Sequence, residues 1–392
     1  MLNFFSDEVR RNPYPVYDQL RSASPVLHDP GSGIWMIFDY EGVKRALNEH
    51  DVFSSRYGPE WLVFLDPPRH TKLRALITRA FTPRVVANLE PRIRELSREL
   101  LDQTIERGDM DLAADFAVPL PMRVIAEMLG IPAADRPRFT RWNDVILNMS
   151  YTILDRGEVA RAASEEFRAV TAEMNAYLTG LLVERRAQPL DDLLSRLVEA
   201  EVDGERLTQG EILGFFQLLL LAGQETTTNL INNALLCLVE NPDQLAHLRA
   251  APDLLPSAIE EVLRYRSPLQ WIGRATRRDV RVHGQVIPAG KLVLAMIGSA
   301  NRDPQQFDGA GRFDITRDPN PHLAFGHGLH FCLGAPLARL EARIALADFL
   351  ERLQGFRLAS DEPWEPRQGL HVHGPSCLPI RFEPGRRAKA PG

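Results

Sequence analysis

Cysteine is scarce in this chain of 392 residues, which has only Cys237, Cys332 and Cys377. Three thiols at such wide spacing do not form the disulfide framework of a small secreted protein. The N-terminal residues also lack the apolar run that is typical of a signal peptide. These two absences predict a protein of the reducing cytoplasm.

Long apolar runs and excess positive charge are missing as well. No segment reaches the about 20 apolar residues that a membrane span requires, so we expect no membrane span. The formal net charge of −6 gives no bulk attraction to nucleic acid, and we expect no nucleic-acid partner. Because flexible linkers, low-complexity blocks and repeats are also absent, we expect one domain over residues 1–392.

Helical periodicity dominates what is present. Apolar residues recur at helical spacing over 85–108 and over 158–188. A third helix begins with a capping box of Thr208 and Glu211 and ends before Pro242. It has roughly 30 residues, and its first half is apolar on every face, which predicts that this half is buried.

Strands are few. We expect one over 32–38, a pair around a turn at His283-Gly284, and a hairpin over 370–382 whose prolines suit the edge of a sheet. The sequence therefore predicts a mainly α fold with small accessory β-sheets.

Three glycines, two histidines and one cysteine stand in the ten-residue run FGHGLHFCLG, residues 325–334. This run lies directly before a predicted helix. A thiolate ligand needs the positive potential of a helix N-terminus, and backbone N–H groups that can approach the sulfur. Gly326, Gly328 and Gly334 remove side chains that would block this approach. The run therefore predicts that Cys332 binds a large flat cofactor as a thiolate.

Two other interpretations of this cysteine remain open. Cys332 could be a buried structural cysteine beside a glycine-rich turn. It could also share a zinc ion with other ligands, although paired spacings of the C-x₂-C kind are missing. The candidate zinc ligands are His327, His330, His371, His373 and Cys377.

The run 325–334 resembles the haem-binding signature of the cytochrome P450 monooxygenases at every constrained position. The resemblance implies the cytochrome P450 fold, in which haem b lies between a long central helix and the loop and helix that carry the cysteine ligand. It also implies that Cys332 is the axial thiolate ligand of the haem iron, which favours O–O cleavage. The implied activity is the insertion of one oxygen atom from O2 into a small organic molecule.

The long helix carries the run AGQETT at 222–227, where glycine and threonine are poor choices for a helix interior. A carboxylate on a buried helix also needs a reason, because burying an unpaired charge is unfavourable. The run resembles the oxygen-activating helix of the family, in which an acid and an alcohol deliver protons. The resemblance implies that Glu225 is the acid and Thr226 the alcohol, although many relatives have aspartate at the acidic position.

Haem carries two propionates, which need positive donors at its edge. By resemblance these donors are His70 and Arg74, four residues apart on one predicted helix, together with Arg274 and His330.

A structural network is also implied. Glu261 and Arg264 stand three residues apart and resemble the Glu-x-x-Arg element of the family. Arg312, in the region that resembles the family's meander, is expected as the third member. The resemblance gives this trio the task of holding the cysteine loop in place.

Residues 69–94 include seven Lys or Arg and one Glu. In the family this region is where an acidic ferredoxin or flavodoxin docks, which is itself reduced by an NAD(P)H-dependent reductase. Electrostatic steering would then speed association and weaken as salt increases.

The resemblance also places large apolar side chains around the substrate. They favour a lipophilic molecule such as a fatty acid, terpenoid, steroid or macrolide. The residues expected to line the pocket are Trp61, Leu62, Leu218, Ala222, Leu269, Trp271, Ile272 and Val372.

Two alternative functions remain. A peroxide-driven peroxygenase of the same family would often lack the acid and the alcohol, so Glu225 and Thr226 argue against it. A haem sensor or carrier without turnover would leave both residues unexplained.

Overall fold

The computed structural model describes residues 6–151 and 157–388. Helices dominate this part of the chain and short sheets accompany them, which confirms the predicted mainly α fold with small accessory β-sheets. No helix among the described residues combines the length and the apolar character that crossing a membrane requires. In chain order the α-helices are α1 (Asp7–Arg11), α2 (Tyr14–Ala23), α3 (Tyr40–Asn48), α4 (Arg69–Ala80), α5 (Pro83–Ala87), α6 (Glu90–Asp102), α7 (Pro119–Met128), α8 (Arg136–Tyr151), α9 (Glu158–Ala187), α10 (Leu193–Glu199), α11 (Gln209–Glu240), α12 (Pro242–Ala250), α13 (Leu255–Tyr265), α14 (Ile297–Ala300) and α15 (Ala335–Arg352).

The strands are short. In chain order they are β1 (Val26–Asp29), β2 (Ile34–Ile37), β3 (Phe53–Ser54), β4 (Asp109–Asp111), β5 (Glu201–Val202), β6 (Glu205–Arg206), β7 (Ile272–Thr276), β8 (Val280–Val282), β9 (Gln285–Ile287), β10 (Leu292–Ala295), β11 (Arg357–Leu358) and β12 (Pro379–Arg381). The largest sheet of the described chain has the order β1-β2-β10-β7-β3, in which β2 and β10 are parallel and the other neighbours antiparallel. β2 confirms the strand expected over 32–38.

The two predicted hairpins had different outcomes. β8 and β9 pair as expected, and His283 and Gly284 have φ values of 46° and 79°, the left-handed pair that a tight two-residue turn requires. The hairpin predicted over 370–382 is wrong, because β12 pairs with β11 and β4 instead. These partners are distant in the sequence, so no local pattern reveals their pairing.

The helix predicted over 85–108 is divided in the structure, with a break between α5 and α6 and an end at Asp102. Gly108 has a φ of 77°, and a Cβ added there would lie 2.9 Å from the carbonyl oxygen of Phe382. The chain therefore turns at Gly108 in close contact with the C-terminal segment. The helix predicted over 158–188 corresponds to α9.

α11 begins at the predicted capping box. The Thr208 N–H donates to Glu211 Oε2 over 2.9 Å, and the Glu211 N–H donates to Thr208 Oγ1 over 3.2 Å. These bonds satisfy two of the N–H groups that a helix start leaves open. Burial differs from the prediction, because Ala222 in the first half is exposed, whereas 224–238 is buried apart from the half-buried Thr226.

The described chain forms two compact units, and α11 contributes to both. The larger unit comprises residues 6–58, 91–118 and 226–388, and the smaller unit comprises residues 59–90, 119–151 and 157–225. The single domain expected over residues 1–392 stays a prediction.

Each unit has its own apolar interior. In the larger unit, one cluster packs the five-stranded sheet against α3 and α14, and another packs the C-terminal half of α11 against α13 and α15. In the smaller unit, the rings of Phe139, Trp142, Tyr177 and Phe216 pack together where α8, α9 and α11 meet.

A buried ion pair anchors the chain ahead of the cysteine loop. Arg264 on α13 donates to Glu261 through Nε and Nη2, over 2.8 and 2.7 Å, and both side chains are fully buried. The same guanidinium donates to the carbonyl oxygens of Asn301, Ala310 and Arg312. Together these bonds use all five N–H groups of the guanidinium.

Asn301 extends this network to the loop itself. Its Oδ1 accepts a hydrogen bond from the Leu323 N–H over 2.7 Å. The Leu323 carbonyl in turn accepts from the Gly326 N–H over 2.8 Å. The ion pair is therefore connected to the first glycine of the loop.

The predicted third member of the network is corrected. The Arg312 side chain is 74% exposed and pairs with Asp314, so only its carbonyl oxygen joins the network. The side chain that reaches Glu261 is that of Arg317, whose Nε lies 3.2 Å from Glu261 Oε2 and which is 10% exposed. Both arginines follow α13 in a turn-rich segment, and only the path of the backbone decides which one faces inward.

One buried carboxyl lacks such a partner. Glu341 on α15 is 1% exposed, and its Oε2 has no hydrogen-bond partner among the described residues. Burial raises the pKa of Glu341 from 4.5 to about 8. Because the folded state then binds this proton more tightly than the unfolded state, the protein loses stability as the pH rises from 4.5 to about 8.

Replacing Arg317 by glutamine removes a charged donor from the buried Glu261 carboxylate. We expect R317Q to lower the free energy of unfolding by about 1.5–3 kcal/mol, the range for hydrogen bonds to charged groups. The matched variant R312Q keeps the hydrogen bond to the carbonyl oxygen of residue 312. It should change the free energy of unfolding by less than about 0.5 kcal/mol. Urea unfolding followed by circular dichroism measures both, and equal effects would contradict the corrected network.

Replacing Glu341 by glutamine should remove the pH dependence that comes from this carboxyl. Relative to the unsubstituted protein, E341Q should gain on the order of 1.4 kcal/mol of stability per pH unit between about pH 5 and about pH 8. Chemical unfolding at a series of pH values measures this difference. E351Q, at an exposed position on the same helix, is the control. A difference for E341Q that is constant with pH would show that the buried carboxyl is not neutral.

Candidate active site

The cysteine loop is closed by its own backbone. The Cys332 N–H donates to the Phe325 carbonyl over 2.9 Å, and the Phe331 N–H donates to the Gly328 carbonyl over 3.1 Å. The Ala335 N–H, at the start of α15, lies 3.4 Å from the Cys332 carbonyl oxygen. These bonds present an exposed thiol just before the N-terminus of an 18-residue helix.

Two glycines allow this loop to pack against its neighbours. Gly326 and Gly328 have φ values of 73° and 67°, which favour glycine. A Cβ added at Gly328 would lie 2.6 Å from Asn48 Oδ1 on α3, so this position has no room for a side chain. Gly334 differs, because an added Cβ would make an ordinary contact of 3.9 Å with the Cys332 sulfur.

Two of the expected propionate donors, His330 in this loop and Arg274 on β7, belong to the larger unit. His330 Nε2 lies 3.1 Å from Ser55 Oγ. Ser55 directly follows β3, whose Ser54 pairs with Ala275 on β7. Arg274, the preceding residue of β7, is 3% exposed, and its Nη1 donates to the Gly273 carbonyl over 2.8 Å. Strand pairing therefore places the imidazole beside the strand that carries the guanidinium.

These residues fit a haem. An exposed thiol offers a soft ligand for iron, and Leu329 and Phe331 beside it are exposed apolar side chains that suit a flat apolar macrocycle. A guanidinium and an imidazole offer the hydrogen-bond donors that carboxylates need.

The structure gives the two alternatives for Cys332 no support. Cys237 is buried, whereas Cys332 is exposed. Within the described ranges, no group of three or more His, Cys, Asp or Glu could hold a metal ion.

The other two expected donors lie in the smaller unit. His70 and Arg74 stand four residues apart on α4, and His70 is buried whereas Arg74 is half-buried. Of the basic residues over 69–94, Arg69 pairs with Glu60 and Lys72 with Glu205. These pairs are exposed and therefore weak, so they leave the two cations able to exchange partners.

Glu225 and Thr226 are consecutive on α11, the first buried and the second half-buried. Gly223 has a packing role, since a Cβ there would lie 2.7 Å from Ile125 Cδ1 on α7. The hydroxyl of Thr228 donates to the Ala117 carbonyl over 2.8 Å and so bonds outside its own helix. The run at 222–227 is thus accommodated in a continuous helix.

In the smaller unit, a series of side-chain hydrogen bonds lies beside the expected pocket residues. Trp61 Nε1 donates to Gln217 Oε1 over 3.0 Å, and Gln217 Nε2 donates to Asn175 Oδ1 over 2.8 Å. Leu62 and Leu218, beside Trp61 and Gln217 in the sequence, are buried. The sequence interpretation missed Gln217, although a lone amide in the apolar run ILGFFQLLLL was a usable signal.

In the larger unit the remaining expected pocket residues gather around one contact. Leu269 forms an isolated bridge with Val372. Trp271 is buried, and its ring centroid lies 4.4 Å from that of His371. Ile272 opens β7, and its Cδ1 would lie 3.9 Å from a Cβ at position 326 of the loop. His371 was not among the expected pocket residues, because its neighbours are distant in sequence.

Comparison with known proteins agrees with this geometry. A family model described as cytochrome P450 matches residues 26–373. Cytochrome P450 109 from Bacillus spizizenii is 42% identical over 385 residues, which cover 97% of this chain and 95% of that protein. The structure of cytochrome P450 CYP109Q5 from Chondromyces apiculatus has a TM-score of 0.90 at 42% identity, covering 99% of this chain and 98% of that one. The crystal structure of CYP109E1 from Bacillus megaterium in complex with testosterone has a TM-score of 0.88 at 39% identity, covering 95% and 99%.

Proposed function

The chain belongs to the cytochrome P450 family, and we propose that it is a partner-dependent monooxygenase in which Cys332 is the thiolate ligand of haem b. Members of this family are haem-thiolate enzymes with iron protoporphyrin IX, so the family, the fold and the cofactor predicted from the sequence are confirmed. When bound, the haem supplies the activation of O2 for transfer of one oxygen atom.

The observation that supports Cys332 is the contrast among the three thiols. Burial raises the pKa of Cys237 to about 12. A hydrogen bond to Asp111 raises the pKa of Cys377 to about 11. Both thiols are therefore protonated near neutral pH, and a metal is bound by the thiolate. Cys332 is exposed and precedes a helix N-terminus, which favours negative charge.

The donors around the loop would hold the carboxylates of the cofactor. We assign Arg274 and His330 to this task and keep His70 and Arg74 as further candidate donors. The Arg264–Glu261 pair and Arg317 act at a distance, because they position the segment that leads to the loop.

Proton delivery falls to two neighbouring residues of α11. The Glu225 carboxyl is buried and the Thr226 hydroxyl is half-buried, so both groups are largely withdrawn from bulk water. A positioned acid that passes a proton to a hydroxyl is a common form of general acid catalysis. We propose that Glu225 holds the proton and that Thr226 transfers it during oxygen activation.

The proposed substrate is a lipophilic small molecule such as a fatty acid, terpenoid, steroid or macrolide. The candidate lining residues are apolar and most of them are large, and a relative whose crystal structure contains testosterone supports a substrate of steroid size. These residues are Trp61, Leu62, Leu218, Ala222, Leu269, Trp271, Ile272 and Val372.

Electrons would come from a ferredoxin or flavodoxin and its NAD(P)H-dependent reductase. The basic residues over 69–94 offer exposed cations to an acidic partner. We further propose that the protein works in the cytoplasm, as its scarce cysteines indicate.

Replacing Cys332 by serine tests the axial ligand. We expect C332S to lose the carbon monoxide spectrum that is typical of reduced haem-thiolate proteins, because serine cannot supply a thiolate. The control C377S removes a thiol held by Asp111 and should leave this spectrum unchanged. An unaltered spectrum in C332S would disprove the assignment.

Replacing Thr226 by alanine tests proton delivery, with testosterone as the probe. In an assay with ferredoxin, its reductase and catalase, we expect product formation by T226A to fall about 100-fold or more, since positioned proton donors contribute 10²–10⁴-fold. The spectral shift on testosterone binding should remain. T227A is the control, because Thr227 lies on the same turn but outside the proposed pair. If both variants are equally active, Thr226 has no such role.

A further inference from the structure

The carboxylate of Glu260 on α13 contacts the two chain segments that flank the cysteine loop. Arg339 on α15, which follows the loop, donates to Glu260 through Nε and Nη2, both over 2.7 Å. His322, which precedes the loop, has its Nε2 3.1 Å from Glu260 Oε2. All three side chains belong to the larger unit. One carboxylate thus joins the chain before Cys332 to the chain after it.

Glu260 carries its charge near neutral pH. Although burial raises the pKa of the Glu260 carboxyl, hydrogen bonds from Arg339 and His322 lower it to about 2. The Glu260 and Arg339 side chains are 30% and 36% exposed, so water weakens the attraction between their charges. The pair has the bidentate geometry in which such a contact still contributes, and the imidazole adds a third hydrogen bond.

Two hydrogen bonds fix the tautomer of His322. A carboxylate only accepts, so His322 Nε2 carries a proton and donates it to Glu260. The other ring nitrogen, Nδ1, accepts a hydrogen bond from the Ala324 N–H over 3.2 Å. The His322 side chain is 4% exposed, so water does not compete for these bonds. The imidazole therefore connects the carboxylate to the backbone two residues further along the chain.

The backbone at Ala324 leads directly into the cysteine loop. The next residue, Phe325, accepts a hydrogen bond at its carbonyl oxygen from the Cys332 N–H over 2.9 Å. The guanidinium carbon of Arg339 lies 4.4 Å from the centroid of the Phe325 ring, within the range of a cation–π contact. Phe325 is thus held through the preceding backbone by His322 and through its ring by Arg339. Both of these residues bind the same carboxylate.

We propose that Glu260 is a positioning residue that keeps Cys332 in place as the axial ligand. It acts through His322 before the loop and through Arg339 after it. The network of Arg264 reaches the segment ahead of the loop, whereas Glu260 contacts both ends. The inference rests on the monooxygenase function proposed above and deepens it.

The test uses the carbon monoxide complex of the reduced holoprotein in moderate urea, and it measures how fast the thiolate-type spectrum is lost. We expect E260Q to lose this spectrum about tenfold faster than the unsubstituted protein, the effect of one lost charge-assisted hydrogen bond. Glutamine has no charge, and its single oxygen cannot accept from both guanidinium donors in the bidentate way. Circular dichroism of the same samples should show an unchanged rate of helix loss, because opening of a loop is separate from global unfolding.

E240Q is the matched control. Glu240, the last residue of α11, accepts two hydrogen bonds from Arg266, over 3.2 and 2.8 Å. It therefore forms a pair of the same kind in the same unit, but this pair does not join the two ends of the cysteine loop. We expect E240Q to lose the thiolate-type spectrum at the rate of the unsubstituted protein.

A double variant tests whether His322 passes the constraint on. In H322N the shorter side chain keeps an acceptor for the Ala324 N–H but does not reach Glu260. It therefore removes the hydrogen bond that E260Q weakens. The rate increase in the double variant E260Q/H322N should be smaller than the product of the two single increases, because both substitutions act on one contact.

Three results would overturn the inference: E260Q loses the spectrum no faster than E240Q, its helix loss accelerates by the same factor, or the two single effects multiply in full. A different result would contradict the proposed function. If the unsubstituted holoprotein has no thiolate-type spectrum, Cys332 is not the ligand, whereas a normal spectrum that is insensitive to E260Q contradicts only the role of Glu260.

Discussion

The buried guanidinium of Arg264 is the contact on which the larger unit's part of the candidate haem site depends most. It donates all five of its N–H groups, to Glu261 and to three carbonyl oxygens distant in the sequence. Each donor is buried, so moving any of these carbonyl groups would leave an unpaired polar atom away from water. Through Asn301 and Leu323 this constraint reaches the loop of Cys332.

The three cysteines show how surroundings decide chemistry. Cys237 is enclosed by apolar side chains, and the Cys377 thiol is hydrogen-bonded to the Asp111 carboxylate. The protonated thiol is therefore favoured at both positions. Cys332 instead stands exposed between a closed loop and a helix N-terminus. Cys237 and Cys377 are therefore structural residues, whereas Cys332 is a candidate ligand, because burial and local charge differ among the three sites.

Polar side chains also occur among the apolar residues proposed to face the substrate. In the smaller unit, Gln217 uses its amide to join Trp61 to Asn175, so its polarity is satisfied internally. In the larger unit, the His371 ring packs against the Trp271 ring. The first arrangement orients a candidate pocket residue by hydrogen bonds, whereas the second holds one by ring packing.

Local patterns in the sequence by themselves determined the helix-rich fold, the capping box at Thr208, and the cysteine loop, whose resemblance to a family signature indicated the family and the cofactor. Periodicity, caps and a ten-residue run of glycine, histidine and cysteine are all contained within short stretches of chain. Tertiary structure alone decided that Arg317 reaches Glu261 in place of Arg312, that β12 pairs with β11 and β4, and that His371 meets Trp271. Each of these contacts joins residues distant in sequence, or depends on the backbone path, so no local pattern could specify them.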